Sequence, residues 1–445
     1  MKVFDTAVVG AGSVGVAVAY YLKQFAPQMS VVLLDPHHPL SGTSAASGEN
    51  YRNWWPHRCM KQFIDRSLDL VDEIENKSNL EIVDTRNGYL LVSRAELTPH
   101  LLHGLESTFE PNEIKVFDSL QPETGFNESR GNGADIYSSR SALNARFPYL
   151  ANDVSHAVHI RRGGRLSTGN LGTFMLDSFR SQGGEVRRFE VVHIDNADVF
   201  SLHSSTRDAD GVVKARRIVN AAGPALRVLS EMVGVELPVF NVLQQKIAFS
   251  DRHRVISRDM PFTIDLDSQK LDWSDDERES IASDPELAFL AHSMPGSIHC
   301  RPDGGPDGTW IKLGWAFNQT RTTALTVAAL DDFFPEVVLR GAARLHTGLK
   351  RYYGNFPREF SHYGGYYTMT DENWPLVSRT HVNDFIIAGA MSGFGSMAAC
   401  AAGELAARLA SEQILPDFAE SMSLQRYDDN ALMGELRELQ SKGIL

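Results

Sequence analysis

The sequence predicts an α/β fold of mixed α+β type, a Rossmann-like nucleotide-binding unit interleaved with a β-sheet unit. Three observations predict it: a glycine-rich strand-to-helix turn at the N terminus, short β-type runs through the middle, and a second strand–glycine loop–helix near the C terminus.

The first element runs from Val3 to Asp35. Val3–Val9 is a β-branched run that passes directly into Gly10-Ala11-Gly12-Ser13-Val14-Gly15. An apolar helical segment follows from Val16 to about Phe25, then a second β run, Ser30 to Leu34, ending on Asp35. A lone GxGxxG says little, but strand, helix and a closing acid in this order are the context the fingerprint requires. Gly10 permits the tight turn, Gly12 admits a pyrophosphate, and Gly15 lets the helix pack close on the strand. Ser13 and Val14 lie within this turn, and the N-terminus of the helix that follows offers unpaired N–H groups and a positive dipole end to phosphate. Asp35 suits ribose hydroxyls and repels a 2′-phosphate.

The loop His37–Gly48 carries small hydroxyl residues, Ser44 and Ser47 among them, suited either to phosphate oxygens or to capping the next helix. Charge and aromatic bulk then crowd into Glu49–Arg58, with Tyr51, Arg52, Trp54, Trp55 and His57. Met60–Ile74 has helical spacing, with Phe63, Leu68, Leu70 and Ile74 apolar. From Leu80 to about Pro148 short β runs such as Gly88–Ser93 begin a second domain. Leu166–Phe179 is helical, and a β segment runs from Glu185 through Val191 to Ile194. Ile218–Pro224 is a buried-type strand ending in the small-residue turn Ala221-Ala222-Gly223. Asn241–Phe249 and Trp310–Trp315 are β-like, and the acidic stretch Asp272–Asp284 is expected to be an exposed loop. Val337–Tyr353 is expected as one helix. Phe385–Ala390 is a strand, Met391–Met397 a glycine loop, and Ala398–Ser411 an alanine-rich helix. The expected division assigns 1–79, 149–240 and 362–445 to the nucleotide-binding domain, and 80–148 and 241–361 to the substrate domain.

A chain of 445 residues is long enough for two or three domains. A net charge of −13 argues against nucleic acid or an anionic membrane as main partner. Cys59, Cys300 and Cys400 are too few and too scattered for a disulfide framework or a zinc site, so no metal is expected. Ala7–Leu22 imitates a signal peptide, with Ala17-Val18-Ala19 as a false cleavage site. The glycine spacing within it favours a folded βαβ unit. No other apolar run approaches 18 residues, so no membrane span is expected and the cytoplasm is the default compartment.

Together, GAGSVG, NAAGP at 220–224, YTMTDENWPLV at 367–377 and AGAMSGFGSMAACAAGE at 388–404 resemble the FAD-dependent amine and amino-acid oxidase superfamily of D-amino-acid, glycine and sarcosine oxidases. The resemblance covers nearly the whole chain. It implies FAD stretched between its domain and an antiparallel β-sheet substrate domain. By position, Gly10, Gly12, Gly15, Asp35, Ser44, Val191, Ala222 and Gly223 would contact adenosine, ribose and pyrophosphate. Gly393, Gly395, Ser396 and Met397 would lie along the flavin edge.

Lys312-Leu313-Gly314-Trp315 is similar to the sarcosine-oxidase strand whose lysine promotes reduction of O₂, where a fixed cation stabilises developing negative charge. A lysine there also suits an exposed strand face. Arg52 takes the place of the family's arginine over the flavin after a one-residue shift. The pattern's carboxylate-holding arginine and lysine are replaced by Trp55 and Met397, and its histidine by Ala316. Gly365 replaces the cysteine that tethers flavin, so FAD is expected to bind noncovalently. Tyr51, Trp54, Trp55 and Phe394 are candidates for an aromatic substrate pocket, or for packing between domains.

The activity this implies is oxidation of the C–N bond of an amine or amino acid, with O₂ as acceptor. A same-fold dehydrogenase serving a quinone or carrier protein, 2-hydroxy-acid oxidation and a non-enzymatic flavin-binding role are the alternatives. Gly389-Ala390 lacks the Gly-Asp pair of flavin hydroxylases.

Overall fold

The computed structural model describes residues 2–118, 131–205, 211–325 and 329–439. Part of the stretch expected as short β runs, 119–130, lies outside them.

Val3–Val9 is buried between parallel neighbours, Val31–Asp35 on one side and Val212–Asn220 on the other. Such doubly flanked strands read as apolar runs, and here they do. Glu185–Arg188 extends the parallel array next to Val31–Asp35, and Phe385–Gly389 extends it next to Val212–Asn220. An antiparallel meander, Val191–Asn196, Phe200–Ser204 and Val212–Asn220, completes the eight-stranded sheet with Leu376–Arg379. The segment expected as one β run from Glu185 to Ile194 is therefore two strands at separate positions in the sheet.

Helix Ser13–Phe25 packs on helix Gly395–Ala410. A Cβ on Gly403 would sit 2.4 Å from that of Ala17, so two alanine-rich faces approach closely because one residue has no side chain. Both helices begin three residues earlier than their apolar periodicity suggests. The glycine loops thus form their first turns.

A ten-stranded sheet is built around Phe240–Ser250, which pairs antiparallel with Phe360–Met369 and with Trp310–Gly314. Side chains alternate across it. Ile247, Phe249, Ile298, Cys300, Ile311 and Leu313 point to one face and pack under helix Phe334–Leu345. The opposite face turns to the eight-stranded unit. Hydrogen bonding runs across the boundaries expected at 149 and 362, because His156–Ile160 and Phe360–Met369 both pair in this sheet.

Two expected elements are corrected. The acidic stretch after Asp272 contains helix Asp275–Ser283, not a loop. The Ser274 side chain accepts from the Glu277 amide and Glu277 accepts from the Ser274 amide, a capping box that satisfies two end groups. Asp275, Asp276 and Glu277 also complement the N-terminal dipole. Negative charge that looks loop-like in composition here favours a helix start. The helix expected over Val337–Tyr353 runs Phe334–Leu345 and breaks at His346 into a 3₁₀ segment, Thr347–Tyr352. His346 is buried with its Nδ1 3.3 Å from the Tyr149 carbonyl, an anchor that ends the α-helical path.

Candidate active site

The two glycine loops meet at one channel of about 780 Å³, solvent at its mouth included. Gly12, Ser13 and Val14 line one end, and Gly393, Gly395 and Ser396 the other. Its side is the 43–48 loop, with Ser44 and Ser47. Its roof is Lys246 and residues 365–368 from the ten-stranded sheet. Two helix N-termini therefore face one cavity.

Steric detail explains the glycines. A Cβ on Gly15 would lie 1.8 Å from the Gly10 carbonyl oxygen, and one on Gly10 2.4 Å from that of Ala221. Gly10 has φ +100°, a conformation that favours glycine. Gly12 differs: its Cβ would meet only the Ser44 hydroxyl, at 3.2 Å, on the channel side. Ala390 and Ser392 line the channel with φ of 56° and 46°, strained values for residues with side chains. Asp35 holds the mouth of the turn, its Oδ2 accepting from the Ala11 amide at 2.7 Å and its Oδ1 from the His37 amide at 2.8 Å. Ser44 accepts from the Ser13 amide at 2.9 Å, and Ser47 bonds Ser396 at 2.6 Å, tying the loop to both helix starts.

The model matching this chain over residues 5–409 is that of the DAO family, described as FAD dependent oxidoreductase. The chain belongs to this family of FAD-dependent oxidoreductases. A curated relative, mitochondrial dimethylglycine dehydrogenase from Rattus norvegicus, is 22% identical over 308 residues, covering 65% of this chain and 33% of the relative. The match thus spans about a third of that relative's length. Among solved structures, L-proline dehydrogenase from P. horikoshii matches with TM-score 0.72 and 17% identity, over 96% of this chain and 98% of that one. Glycine oxidase from Geobacillus kaustophilus matches with TM-score 0.70 and 15% identity, over 96% and 99%. These likenesses establish the fold, and the family establishes FAD as cofactor and oxidoreduction as activity. A channel with a helix start at each end and strain-tolerant turns along its wall fits an extended dinucleotide.

On the roof, register places Tyr363, Lys246, Gly314 and His299 in one row across four strands. Ser361, Ala248, Lys312 and Arg301 form the next row. Lys246 is buried and donates to the Tyr367 hydroxyl at 3.2 Å. No carboxylate lies within 4.0 Å of it among the described residues. Lys312 is paired, 3.4 Å from Asp303 and 3.9 Å from Glu49. Burial and the nearby Arg301 lower its ammonium below the usual lysine range, against the pull of both acids. Burial pushes the Tyr363 hydroxyl up to about 12, and that buried hydroxyl has no hydrogen-bond partner.

The expected site residues separate into groups. Gly12, Ser13, Val14, Ser44, Ser47, Gly223, Gly393, Gly395 and Ser396 line the channel. Gly10, Gly15 and Asp35 build the turn behind it. Met397 is buried in the core beneath its loop. Val191 packs, half-buried, against the cluster containing Phe189, and Ala222 against the same cluster.

The four aromatics do not form one pocket. Trp55 meets Phe394 edge-on at 4.7 Å, but Trp54 packs in another core with Leu101 and Leu105. Tyr51 turns its hydroxyl to the Thr85 carbonyl, at 3.3 Å. The strand Asn50–Arg52 ends before the two tryptophans, which lie in the loop that follows and pack into separate cores. Arg52 is buried over the rings of Trp55 and Tyr89, at 4.9 and 4.7 Å. His57 caps helix Arg58–Lys77. Sequence reasoning missed Lys246, Arg301, Tyr363 and Tyr367. The available signal was Gln244-Gln245-Lys246, a polar run of three inside the buried strand Phe240–Ser250.

Proposed function

We propose that this chain oxidises a C–N bond of an amino acid or secondary amine to an imine, which then hydrolyses. The observation that carries this reading is Lys246. A buried ammonium without a counter-charge is costly, and a substrate carboxylate beside the FAD channel would complete it.

Bound noncovalently, FAD supplies the two-electron acceptor, and the protein's task is to bind and orient. Gly365, at the roof, offers no nucleophile for a tether. In this reading Lys246 and the Tyr367 hydroxyl hold the carboxylate, and Trp55 with Phe394 excludes water beside the last glycine loop. The amine must be neutral to react, so turnover rises with pH through the bound substrate's own ammonium.

O₂ is the proposed acceptor, with Lys312 as the cation that favours its reduction. A second reading, a dehydrogenase passing electrons to a quinone or protein carrier, is favoured by the two carboxylates that offset the Lys312 charge. Anaerobic mixing of the flavin-loaded protein with amines, amino acids and 2-hydroxy acids tests the substrate class. Bleaching by carboxylate-bearing amines is expected. Bleaching by hydroxy acids alone would overturn it, and stopped-flow reoxidation with O₂ then separates the two acceptors.

A further inference from the structure

A second cavity opens next to the site, beneath the exposed turn at 304–308. Arg165, Arg258 and Arg301 line it, with Asp303 as the single acid among the lining residues. It shares no lining residue with the FAD channel.

Arg301 is only 3% exposed. It donates to the Pro302 carbonyl at 2.9 Å, to Asp303 Oδ1 at 2.6 Å and to the Gly48 carbonyl at 2.9 Å. Its Nε–H is nonetheless buried with no acceptor. Arg258 donates to the carbonyls of Trp310 and Gly305, each at 2.8 Å, and to that of Asp303, and its Nε–H is likewise buried with no acceptor. Such donors are costly to leave unmade.

The charges around the cavity do not balance either. Asp303 is shared between Arg165 at 2.9 Å, Arg301 at 2.6 Å and Lys312 at 3.4 Å. Arg165 also pairs with Asp84, and it shares Glu49 with Lys312, each at 3.9 Å. Arg258 meets backbone carbonyls alone and has no carboxylate within 4.0 Å among the described residues. Guanidinium groups with unmade N–H donors and one unpaired charge match a planar or tetrahedral oxyanion.

We propose that this cavity binds a small oxyanion, a carboxylate or a phosphate, on Arg258 and Arg301. The anion is either free in solution or the distal acid of a substrate whose amine end reaches the flavin. Through Arg301 it would touch Asp303 and Gly48, and so the Lys312 pair and the channel wall.

Calorimetry of the FAD-loaded Lys246→Met protein at low salt, in which the carboxylate site of the channel is removed, with inorganic phosphate and with glutarate, tests the proposal. Saturable one-site binding is expected, weakened about tenfold or more when Arg258→Gln or Arg301→Gln is added. Arg258, the less buried of the two, is the deciding variant, because its protein should keep flavin absorbance and melting temperature. Absence of saturable binding by either probe, or undiminished affinity in a folded Arg258→Gln, would overturn it. KM then separates the sources: Arg258→Gln raises KM for acidic amines alone if the anion belongs to the substrate. It leaves KM unchanged if the anion is free. Failure of every amine to bleach the flavin would end the proposed activity without touching the calorimetric result.

Discussion

The Lys246 ammonium donates to the Tyr367 hydroxyl across 3.2 Å and lies 5.2 Å from the centre of the same ring. Two residues along the neighbouring register row, Lys312 has two carboxylates within 4.0 Å. One sheet face thus presents two lysines in opposite electrostatic states. Their functions should differ accordingly.

Replacing Lys246 by Met removes the unpaired charge and leaves a side chain of similar shape. Affinity for acetate, read from the flavin spectrum, should fall about 10- to 100-fold, with FAD content unchanged. KM for neutral amines should stay within the wild-type range. Unchanged acetate binding would remove Lys246 from substrate recognition.

Lys312→Met should leave anaerobic flavin reduction intact and slow reoxidation by O₂ about tenfold or more. Glu49→Gln removes one counter-charge and should act in the opposite direction. If stopped-flow traces show neither effect, O₂ is not reduced beside Lys312.

Stability should decline on acidification below neutrality. Burial pushes His299 down to about 3 and His346 down to about 4. Between these values and the unfolded histidine range near 6.5, the unfolded chain binds protons that the folded chain refuses. Stability is therefore full above about pH 6.5 and is lost as pH falls, at about 1.4 kcal/mol per pH unit for each histidine. Thermal melts from pH 7.5 to 4.5 measure the slope, and His346→Gln should flatten it.

Gly12 and Gly15 should fail differently. Gly15→Ala puts a methyl 1.8 Å from a backbone oxygen and should prevent folding of the βα turn. Gly12→Ala meets only a hydroxyl and should fold, losing FAD affinity instead. Circular dichroism and the flavin-to-protein absorbance ratio distinguish the two outcomes.

Much of the nucleotide-binding unit was legible in the residues alone. The glycine spacing, the strand Val3–Val9 and Asp35 encode backbone constraints that act within about thirty residues, and these survive any tertiary context. The element ends were less legible. Helix Asp275–Ser283 depends on one reciprocal cap at Ser274 and Glu277. The break at His346 depends on a carbonyl almost two hundred positions earlier.

What the sequence determined by itself was local: which runs pleat, which turn needs glycine, and where helix starts offer N–H groups to phosphate. It also made Lys246 and Lys312 stand on polar faces of their strands, since side chains alternate. Only the tertiary structure decided their company. Strand register set Arg301 beside Lys312, and packing of the loop at Gly48 against the sheet brought Glu49 to the same lysine. Charge is a long-range quantity with no sequence period, so which lysine meets a carboxylate and which does not is settled by assembly alone.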